Sequence, residues 1–253
     1  MTYNIRNGGQ PDRLDAILRV VTGQRPDILA LQELRRFDAA TVHRVEAATG
    51  MAAFVARSRS GQPVAVLARP QVVTAKRIPG PFHHAAASVT VDTDHGPLTV
   101  VSTHLNPYSG WRRLWEARWL ARRVRPERLM LLMGDLNTLD PWTDHSGQLR
   151  DLAPEFRARH LWRKGVDTRA VAVLARAGLV DLFEPDGVHD YTAPTRYGGG
   201  TEFSRMRLDY ILGTAPVARR RRSLRIISGG ESESASDHYP VVAELDLTLT
   251  AAG

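Results

Sequence analysis

Hydrophobic positions along the chain follow two alternating periods, one typical of helices and one typical of strands. Apolar residues recur at helical spacing over 14–21 and predict an amphipathic helix that ends at Gly23. The apolar run 28–31 predicts a buried strand, and a second helix is predicted over 38–50. Helices and strands therefore alternate from the start of the chain.

Short apolar stretches separated by glycine and proline continue this pattern. The middle of the chain is predicted to be a meander of strands at about 53–56, 64–68, 72–77 and 87–91. Further on, helices are predicted at 110–125 and 168–177, and strands at 98–102, 129–133, 180–183, 208–212, 224–227 and 241–247. Many strands, several of them in hairpins, favour an α/β fold of two packed sheets flanked by helices over an open parallel sheet. Neither a repeat nor a linker interrupts 1–253, which predicts a single domain.

Composition narrows the class of protein. The 253 residues, 43% of them hydrophobic, suffice for one sizeable core. No apolar run is long enough to cross a bilayer and no secretion leader is visible, so we expect a cytoplasmic protein without stable membrane association, unless a leader has been cleaved off. The lack of cysteine excludes disulfides, thiolate metal sites and a cysteine nucleophile. The sequence gives no indication of oligomeric state.

The net charge of +7 indicates an anionic partner. Only Lys76 and Lys164 are lysines, so arginine supplies nearly all of the positive charge. Such a bias can arise from genomic base composition as readily as from function. The run Arg219–Arg222 accordingly has two interpretations, a nucleic-acid-binding patch or a solvated loop between strands.

Polar residues follow several of the apolar runs, where strands are predicted to end. Asp135 and Asn137 come two residues apart after the run 129–133 and would face the same way; the alternative is an ordinary turn. Glu33 follows the first predicted strand, where a carboxylate suits a hard cation such as Mg²⁺; the alternative is an exposed acid beside a helix.

A second group of polar residues includes a carboxylate that needs a hydrogen-bonding or charged partner. Asp209 lies in an apolar context, where an unpaired charge is costly, and His238 is the partner that we predict for it. His238 follows Asp237, so that a carboxylate and an imidazole are adjacent. Other polar residues at predicted strand ends are His104, Asn4 and Asn7.

In their order along the chain these motifs resemble those of the endonuclease/exonuclease/phosphatase superfamily, which includes pancreatic deoxyribonuclease, abasic-site endonucleases, sphingomyelinases and inositol-polyphosphate 5-phosphatases. The motifs that carry the resemblance are Thr2–Ile5, Leu31–Glu33, Thr103–Leu105, Gly134–Asn137, Arg207–Ile211 and Ser236–Val242. The resemblance implies a deoxyribonuclease I-like four-layer α/β sandwich with the active site at one end of the paired sheets.

The resemblance also implies a catalytic role for each matched residue. Asp135 would orient and deprotonate the attacking water, and Asn137 would hold that water or the transition state. His238, oriented by Asp209, would stabilise charge on the phosphoryl oxygens, while His104 would contact the phosphate from the other side. The implied reaction is metal-dependent in-line attack of water on phosphorus.

The implied metal is Mg²⁺, with Mn²⁺ as a substitute, held chiefly by Glu33 with Asn4 and Asp237. The chain departs from several relatives in one respect, because Arg6 stands where they carry an acidic residue. We therefore expect Arg6 to meet a substrate phosphate. The predicted substrate-binding residues are Arg6, Asn7 and Asn106.

Substrate choice is predicted to lie in 138–167, a probable specificity insertion. Its aromatic side chains among arginines would form a wall beside Asp135 that stacks bases and holds phosphates, or would simply anchor the insertion to the core. The predicted partner is a phosphoester, most simply a phosphodiester of nucleic acid. The alternatives are a small phosphorylated molecule and, less favoured, a binding protein that has lost activity.

Overall fold

Two mixed six-stranded β-sheets form the centre of the computed structural model, which describes residues 1–69, 71–183, 191–198 and 202–248. Both sheets are mixed, because the strand Thr2–Asn4 pairs parallel with Ile28–Gln32 and the strand Leu98–His104 pairs parallel with Met130–Asp135, whereas the other neighbours are antiparallel. Across the first sheet the strand order is β13 (Arg221–Ile226), β14 (Val241–Leu245), β1 (Thr2–Asn4), β2 (Ile28–Gln32), β4 (Val64–Ala68) and β3 (Ala52–Ala56). Across the second it is β11 (Leu179–Asp181), β12 (Asp209–Thr214), β8 (Met130–Asp135), β7 (Leu98–His104), β6 (Ala86–Val91) and β5 (Val72–Arg77).

Helices cover the outer faces of both sheets. The longer ones are Leu14–Gln24, Ala39–Thr49, Gly110–Ala121 and Arg169–Arg176. Shorter ones are Ser146–Arg150, Pro154–Arg157, Ala215–Ala218 and Ser232–Ala235, with a 3₁₀ turn at Ala158–His160 and a small hairpin of β9 (Leu161–Trp162) and β10 (Gly165–Val166). Within the described ranges, none of the helices combines the length and the apolar character that a bilayer crossing requires.

Three apolar layers hold these elements together. Small and β-branched side chains such as Val66, Val89 and Val100 fill the space between the sheets. The first sheet packs its outer face on the helices Leu14–Gln24 and Ala39–Thr49, and the second sheet packs its outer face on the other two long helices. The order helix, sheet, sheet, helix confirms the four-layer α/β sandwich.

The structure corrects three local expectations. The first helix continues through Gly23, and Arg25 ends it in a left-handed conformation with φ 48°. Strands β7 and β8 include the polar residues that were expected to follow them, as far as His104 and Asp135. Backbone hydrogen bonds between strands do not depend on side-chain polarity, so the pairing continues through these residues. Within the arginine run 219–222, Arg219 and Arg220 form the turn after a short helix, and Arg221 and Arg222 begin edge strand β13, so only the first half of the run is a loop.

The segment 138–167 is anchored to the second sheet by a buried charge network. The Arg207 guanidinium, at the start of the β12 region, lies 2.9 Å from Oδ2 of Asp140 and 2.7 Å from Oδ2 of Asp181. Burial raises the pKa of Asp140, but the neighbouring His145 and Arg207 lower it more, so the net pKa is well below its usual value. The apolar side chains of Leu139, Leu149 and Leu152 pack beside this network.

We expect Arg207→Met to lower the free energy of unfolding by about 3–5 kcal/mol at pH 7, because it leaves two buried carboxylates without a counter-charge. The pKa of Asp140 is depressed in the folded state, so its stabilising contribution is present above its unfolded pKa and is lost as pH falls through the folded one. The difference between wild type and variant should therefore shrink below about pH 4. Denaturant unfolding at pH 7 and pH 3 measures both effects.

The matched control is Arg222→Met, which removes an exposed ion pair with Asp246. Such a pair contributes less than about 1 kcal/mol, so this variant should unfold like wild type. Equal losses in the two variants would contradict the structural importance of the buried network.

Candidate active site

Polar side chains from both sheets meet at one end of the sandwich. In the second sheet, His104, Asp135 and Asp209 lie side by side on three adjacent strands, since His104 pairs with Asp135 and Asp135 with Asp209. Asn4 ends β1 of the first sheet, and Glu33 directly follows β2. The Asn4 amide nitrogen donates to Oε1 of Glu33 at 3.2 Å and to Oδ2 of Asp135 at 3.0 Å, so this side chain joins the two sheets.

A left-handed turn at Arg6–Gly9 holds the Glu33 carboxylate. All four residues have positive φ, between 44° and 72°. The Asn7 N–H donates to Oε2 of Glu33 at 3.0 Å, and the Gly8 N–H donates to the Glu33 carbonyl at 2.6 Å. Only glycine fits at position 8, because a Cβ there would lie 2.2 Å from the Arg35 carbonyl oxygen. The backbone of this turn therefore fixes the orientation of Glu33.

Backbone strain is concentrated around this site. Among the described residues, nine non-glycine positions have positive φ, and four of them are Arg6, Asn7, Glu33 and Asn137. Non-glycine residues in the left-handed region are held there by their surroundings at an energetic cost, and such positions cluster at functional sites. The clustering supports the choice of these residues from the sequence.

His238 and Asp209 form the buried pair that the sequence predicts. Nδ1 of His238 donates to Oδ2 of Asp209 at 2.7 Å, and its Nε2 points towards Asp135, 4.0 Å from Oδ2. Burial lowers the pKa of His238, but the carboxylates of Asp209, Asp135 and Asp237 raise it more, so the net pKa is well above its usual value. The pair can thus present a positively charged donor to an anion.

The second imidazole, His104, has the opposite character. Its Nε2 lies 3.3 Å from Oδ2 of Asp135. Burial lowers its pKa well below the usual value, and the neighbouring His84, His238 and His83 lower it further, so that His104 is neutral. His84 stacks on it with ring centroids 4.1 Å apart. Two histidines of opposite charge state therefore flank Asp135.

Asp135 is fully enclosed by these groups. Its Oδ1 accepts a hydrogen bond from the Asn137 N–H at 2.8 Å, and the Asn137 side chain donates to the Leu105 carbonyl at 3.1 Å. Burial and the nearby Asp209 carboxylate raise the pKa of Asp135 to about 8. The ionised carboxylate of such a group is a stronger base than an exposed one, and the proportion of Asp135 in that form increases as pH rises towards 8.

The residues predicted to bind metal offer a suitable donor set. Burial raises the pKa of Glu33, and the Asp237 carboxylate nearby raises it further. Asp237 in turn lies 3.2 Å from a guanidinium nitrogen of Arg6. A divalent cation would relieve the repulsion between the two carboxylates, and carboxylate oxygens are the ligands that Mg²⁺ prefers. The carboxylates of Glu33 and Asp237 therefore fit the implied cation, whereas Oδ1 of Asn4 accepts from the Arg6 N–H at 3.0 Å.

A second group, Asp135, Asp209 and His238, has ligand atoms within 4.8 Å of one another. Nδ1 of His238 is already engaged by Asp209, and Asp209 lies behind the imidazole, away from the cleft lining. This group is better explained as a hydrogen-bonded histidine–aspartate pair beside Asp135 than as a metal centre.

The site opens into a cleft of about 290 Å³. The predicted residues that line it are Arg6, Asn7, Glu33, His104, Asp135, Asn137, Asp237 and His238. Asn106 is outside this lining, since its side-chain oxygen accepts from the N–H groups of Tyr108 and Ser109 and shapes the loop there. Within 138–167, Phe156 and His160 reach the cleft, whereas buried His145 serves as an anchor.

Sequence reasoning did not identify several other residues that line the cleft. They are Arg35, Gln62, His84, Pro107, Tyr108, Arg159, Glu202 and Phe203. Gln62 donates to Oδ1 of Asn7 at 3.2 Å, and Phe203 packs edge-to-face on His238 at 5.3 Å. For these residues the sequence offers one signal, the adjacent histidines at 83–84. These histidines lie in the loop before β6 and not at the end of a strand.

Comparisons with known proteins extend these observations. Residues 1–238 match the model of the Endonuclease/Exonuclease/phosphatase family. No curated protein sequence matches the chain.

Solved structures show the same fold at low sequence identity. A 3′ phosphatase from Neisseria bound to a product DNA hairpin is 21% identical, with a TM-score of 0.69 over 97% of this chain and 98% of that one. An AP endonuclease from Archaeoglobus fulgidus is 20% identical, with a TM-score of 0.71 over the same shares of the two chains. An endonuclease/exonuclease/phosphatase from Bacteroides vulgatus is 17% identical, with a TM-score of 0.71 over 98% and 97%.

Proposed function

Since this chain belongs to the endonuclease/exonuclease/phosphatase family and is thus a hydrolase of phosphoester bonds, we propose that it cleaves phosphodiester bonds of nucleic acid. The observation that carries the proposal is the position of Asp135, buried at the base of the cleft with Nε2 of His104 3.3 Å and Nε2 of His238 4.0 Å from its Oδ2. This arrangement combines a proton acceptor with donors for phosphoryl oxygens. The DNA hairpin bound by the Neisseria phosphatase and the AP endonuclease activity of the Archaeoglobus protein support nucleic acid as the substrate.

Each residue of the site has a separate role in the proposed reaction. Asp135 accepts a proton from the attacking water, which the Asn137 amide helps to position. His238, held by Asp209, donates to a non-bridging phosphoryl oxygen as negative charge increases there, and His104 binds a second oxygen. The attack is in line with the leaving oxygen and forms no covalent enzyme intermediate.

Glu33, Asn4 and Asp237 would hold the divalent cation, which we propose to be Mg²⁺ with Mn²⁺ as a substitute. When bound, such an ion neutralises charge on the phosphoryl and leaving oxygens. Arg6 and Asn7 stand on either side of this group and would meet the substrate. The segment 138–167 supplies one wall of the cleft and is the proposed specificity insertion within a single domain.

A small phosphate ester is the second candidate substrate. Arg6, Arg35 and Arg159 all line a cleft of only about 290 Å³. Arg6 pairs with Asp237 at 3.2 Å and Arg159 with Glu202 at 3.1 Å, and a compact substrate with a second anionic group would compete with these carboxylates for the guanidinium donors. This candidate and the first differ in the size of the molecule and not in the chemistry of the site.

Nicking of supercoiled plasmid tests the proposal. We expect nicking in Mg²⁺ and in Mn²⁺ and none in EDTA. Glu33→Gln should raise the Mg²⁺ concentration needed for half-maximal rate at least about tenfold, because it removes a charged ligand. The control is Glu127→Gln, which changes an exposed carboxylate outside the cleft.

The possible outcomes separate the two candidates. Intact plasmid together with metal-dependent hydrolysis of a small diester such as bis(p-nitrophenyl) phosphate would reject nucleic acid and favour the compact substrate. Nicking that persists in EDTA would reject the metal-dependent reaction.

A further inference from the structure

Large aromatic side chains lie exposed beside the cleft. Tyr108, on the cleft rim, is 62% exposed, and Trp111, in the first turn of the helix Gly110–Ala121, is 56% exposed. Trp162, in strand β9 of the small hairpin, packs edge-to-face on Trp111 with centroids 4.9 Å apart. Trp162 is half-buried and Trp111 is exposed, so the pair presents a partly exposed apolar patch, and contiguous exposed apolar patches mark interaction sites.

This cluster is held rigidly in place. The Arg169 guanidinium lies 3.8 Å from the centroid of Trp162 and 4.9 Å from that of Trp111. Both oxygens of the buried Asp167 carboxylate accept from Arg169, at 2.7 and 2.9 Å. Gly110 lies so close to Asp167 that a Cβ at position 110 would be 1.9 Å from its Oδ2. The two rings are therefore fixed by the fold before any ligand arrives.

The cluster begins three residues after Tyr108, which lines the cleft. Arg159 lies 5.4 Å from the ring centroid of Tyr108 and 4.6 Å from that of Phe156, and all three residues line the cleft. Tyr108 precedes Trp111 by three residues at the start of the helix. We call Phe156, Tyr108, Trp111 and Trp162 the aromatic ridge, since they lead from the cleft to the surface.

Cations accompany the ridge along its length. Arg112 is exposed beside Trp111, and Arg163 and Lys164 form the exposed tip of the hairpin that carries Trp162. Flat aromatic faces stack on any base, and neighbouring cations bind the phosphates between bases, which together make a sequence-tolerant surface for an unpaired strand. Paired bases in a duplex are already stacked and offer no free faces.

We propose that the aromatic ridge binds a single-stranded segment of nucleic acid next to the scissile phosphate. This inference rests on the proposed function, since it names the part of the substrate that lies outside the cleft. Bases stack on Trp111 and Trp162, and the strand continues past Tyr108 into the cleft. A membrane surface is the competing partner for exposed tryptophan and arginine, but it offers no reason for the ridge to enter the cleft.

The test measures binding of fluorescein-labelled dT12 by anisotropy in EDTA, which prevents hydrolysis. We expect Trp111→Ala and Trp162→Ala each to weaken the affinity about 5- to 100-fold. Trp111→Phe, which keeps a ring, should retain most of the affinity. Trp142→Ala is the matched control, because Trp142 is 53% exposed in the same segment as Trp162 but is not one of the ridge residues, and it should bind like wild type.

A blunt 12-base-pair duplex and phosphatidylcholine/phosphatidylserine vesicles complete the comparison. The alanine variants should bind the duplex like wild type, and dT12 should quench the tryptophan fluorescence of the wild-type protein. The proposal is overturned if wild type does not bind dT12, or if the alanine variants lose affinity for the duplex and for dT12 equally. It is also overturned if the variants lose affinity for the vesicles but keep their affinity for dT12.

The same experiment distinguishes this inference from the proposed function. If wild type hydrolyses bis(p-nitrophenyl) phosphate in Mg²⁺ but the ridge variants bind dT12 normally, the ridge proposal fails and the phosphodiesterase proposal stands. If wild type binds dT12 through the ridge but hydrolyses no phosphodiester, the ridge proposal stands and the phosphodiesterase proposal fails. Equal melting temperatures of wild type and variants establish that the folds are comparable.

Discussion

Replacement of Asp135 by asparagine is expected to lower kcat at least about 10²-fold, with a smaller effect on KM. The amide keeps the size of the side chain and still accepts from the Asn137 N–H, but it cannot take a proton from water. The variant should remain folded, because the removal of a buried carboxylate whose pKa is raised by burial and by Asp209 offsets the loss of the hydrogen bond that Oδ2 accepts from Asn4. Steady-state kinetics and a melting temperature are the two measurements.

Asp144→Asn is the control for this substitution. Asp144 is an exposed carboxylate in the segment 138–167, where it accepts from the Ser146 N–H, and it does not line the cleft. Its variant should have wild-type kcat. If Asp135→Asn keeps more than about a tenth of the wild-type rate, another group activates the water and the proposed division of roles is wrong.

The second large effect is expected at the histidine–aspartate pair. His238→Ala should lower kcat about 10²- to 10³-fold, the range for loss of one donor to a developing oxyanion. Asp209→Asn leaves the imidazole in place but removes the charge that fixes its tautomer and raises its pKa. We therefore expect Asp209→Asn to lower kcat in the same direction while KM and the Mg²⁺ requirement stay near wild type.

An exposed pair of the same residue types provides the control. Asp94 lies 3.8 Å from Nε2 of His95 on the surface, outside the cleft. Asp94→Asn should leave all kinetic constants unchanged. An increase in KM without a loss of kcat in Asp209→Asn would mean that the pair serves substrate binding and not the chemical step.

The helices and strands and most of the candidate site could be predicted, because the local pattern of apolar and polar residues determines where strands form and which polar side chains lie at their ends. Apolar runs such as 64–68 form strands with those bounds, and polar residues after such runs lie at strand ends. Once the strands pair, the side chains of His104, Asp135 and Asp209 are brought together by register alone. The order of the motifs along the chain indicated this pairing through the resemblance, whereas hydrophobic periodicity did not.

The remaining part of the site depends on contacts that no local pattern contains. His84 reaches the cleft from the loop before β6, and Arg159 reaches it from a 3₁₀ turn in the segment 138–167. Asn106 had a suitable residue type and position, yet its side chain bonds to its own loop. Which loop residues face a cleft is decided by tertiary packing, so sequence spacing is a weak guide to them.

The arrangement of the first sheet has a consequence for the order in which this protein can fold during synthesis. Strand β1 is flanked by β2 and by β14, and its Thr2 pairs with Val241, so its second edge stays open until Val241 has been translated. The entire second sheet is translated in that interval. Closing such a long loop is slow, and an unpaired strand edge is open to wrong partners meanwhile. Because His238 comes just before β14, hydrolytic activity should arise only after His238 has been translated, whereas the second sheet can form earlier on the ribosome.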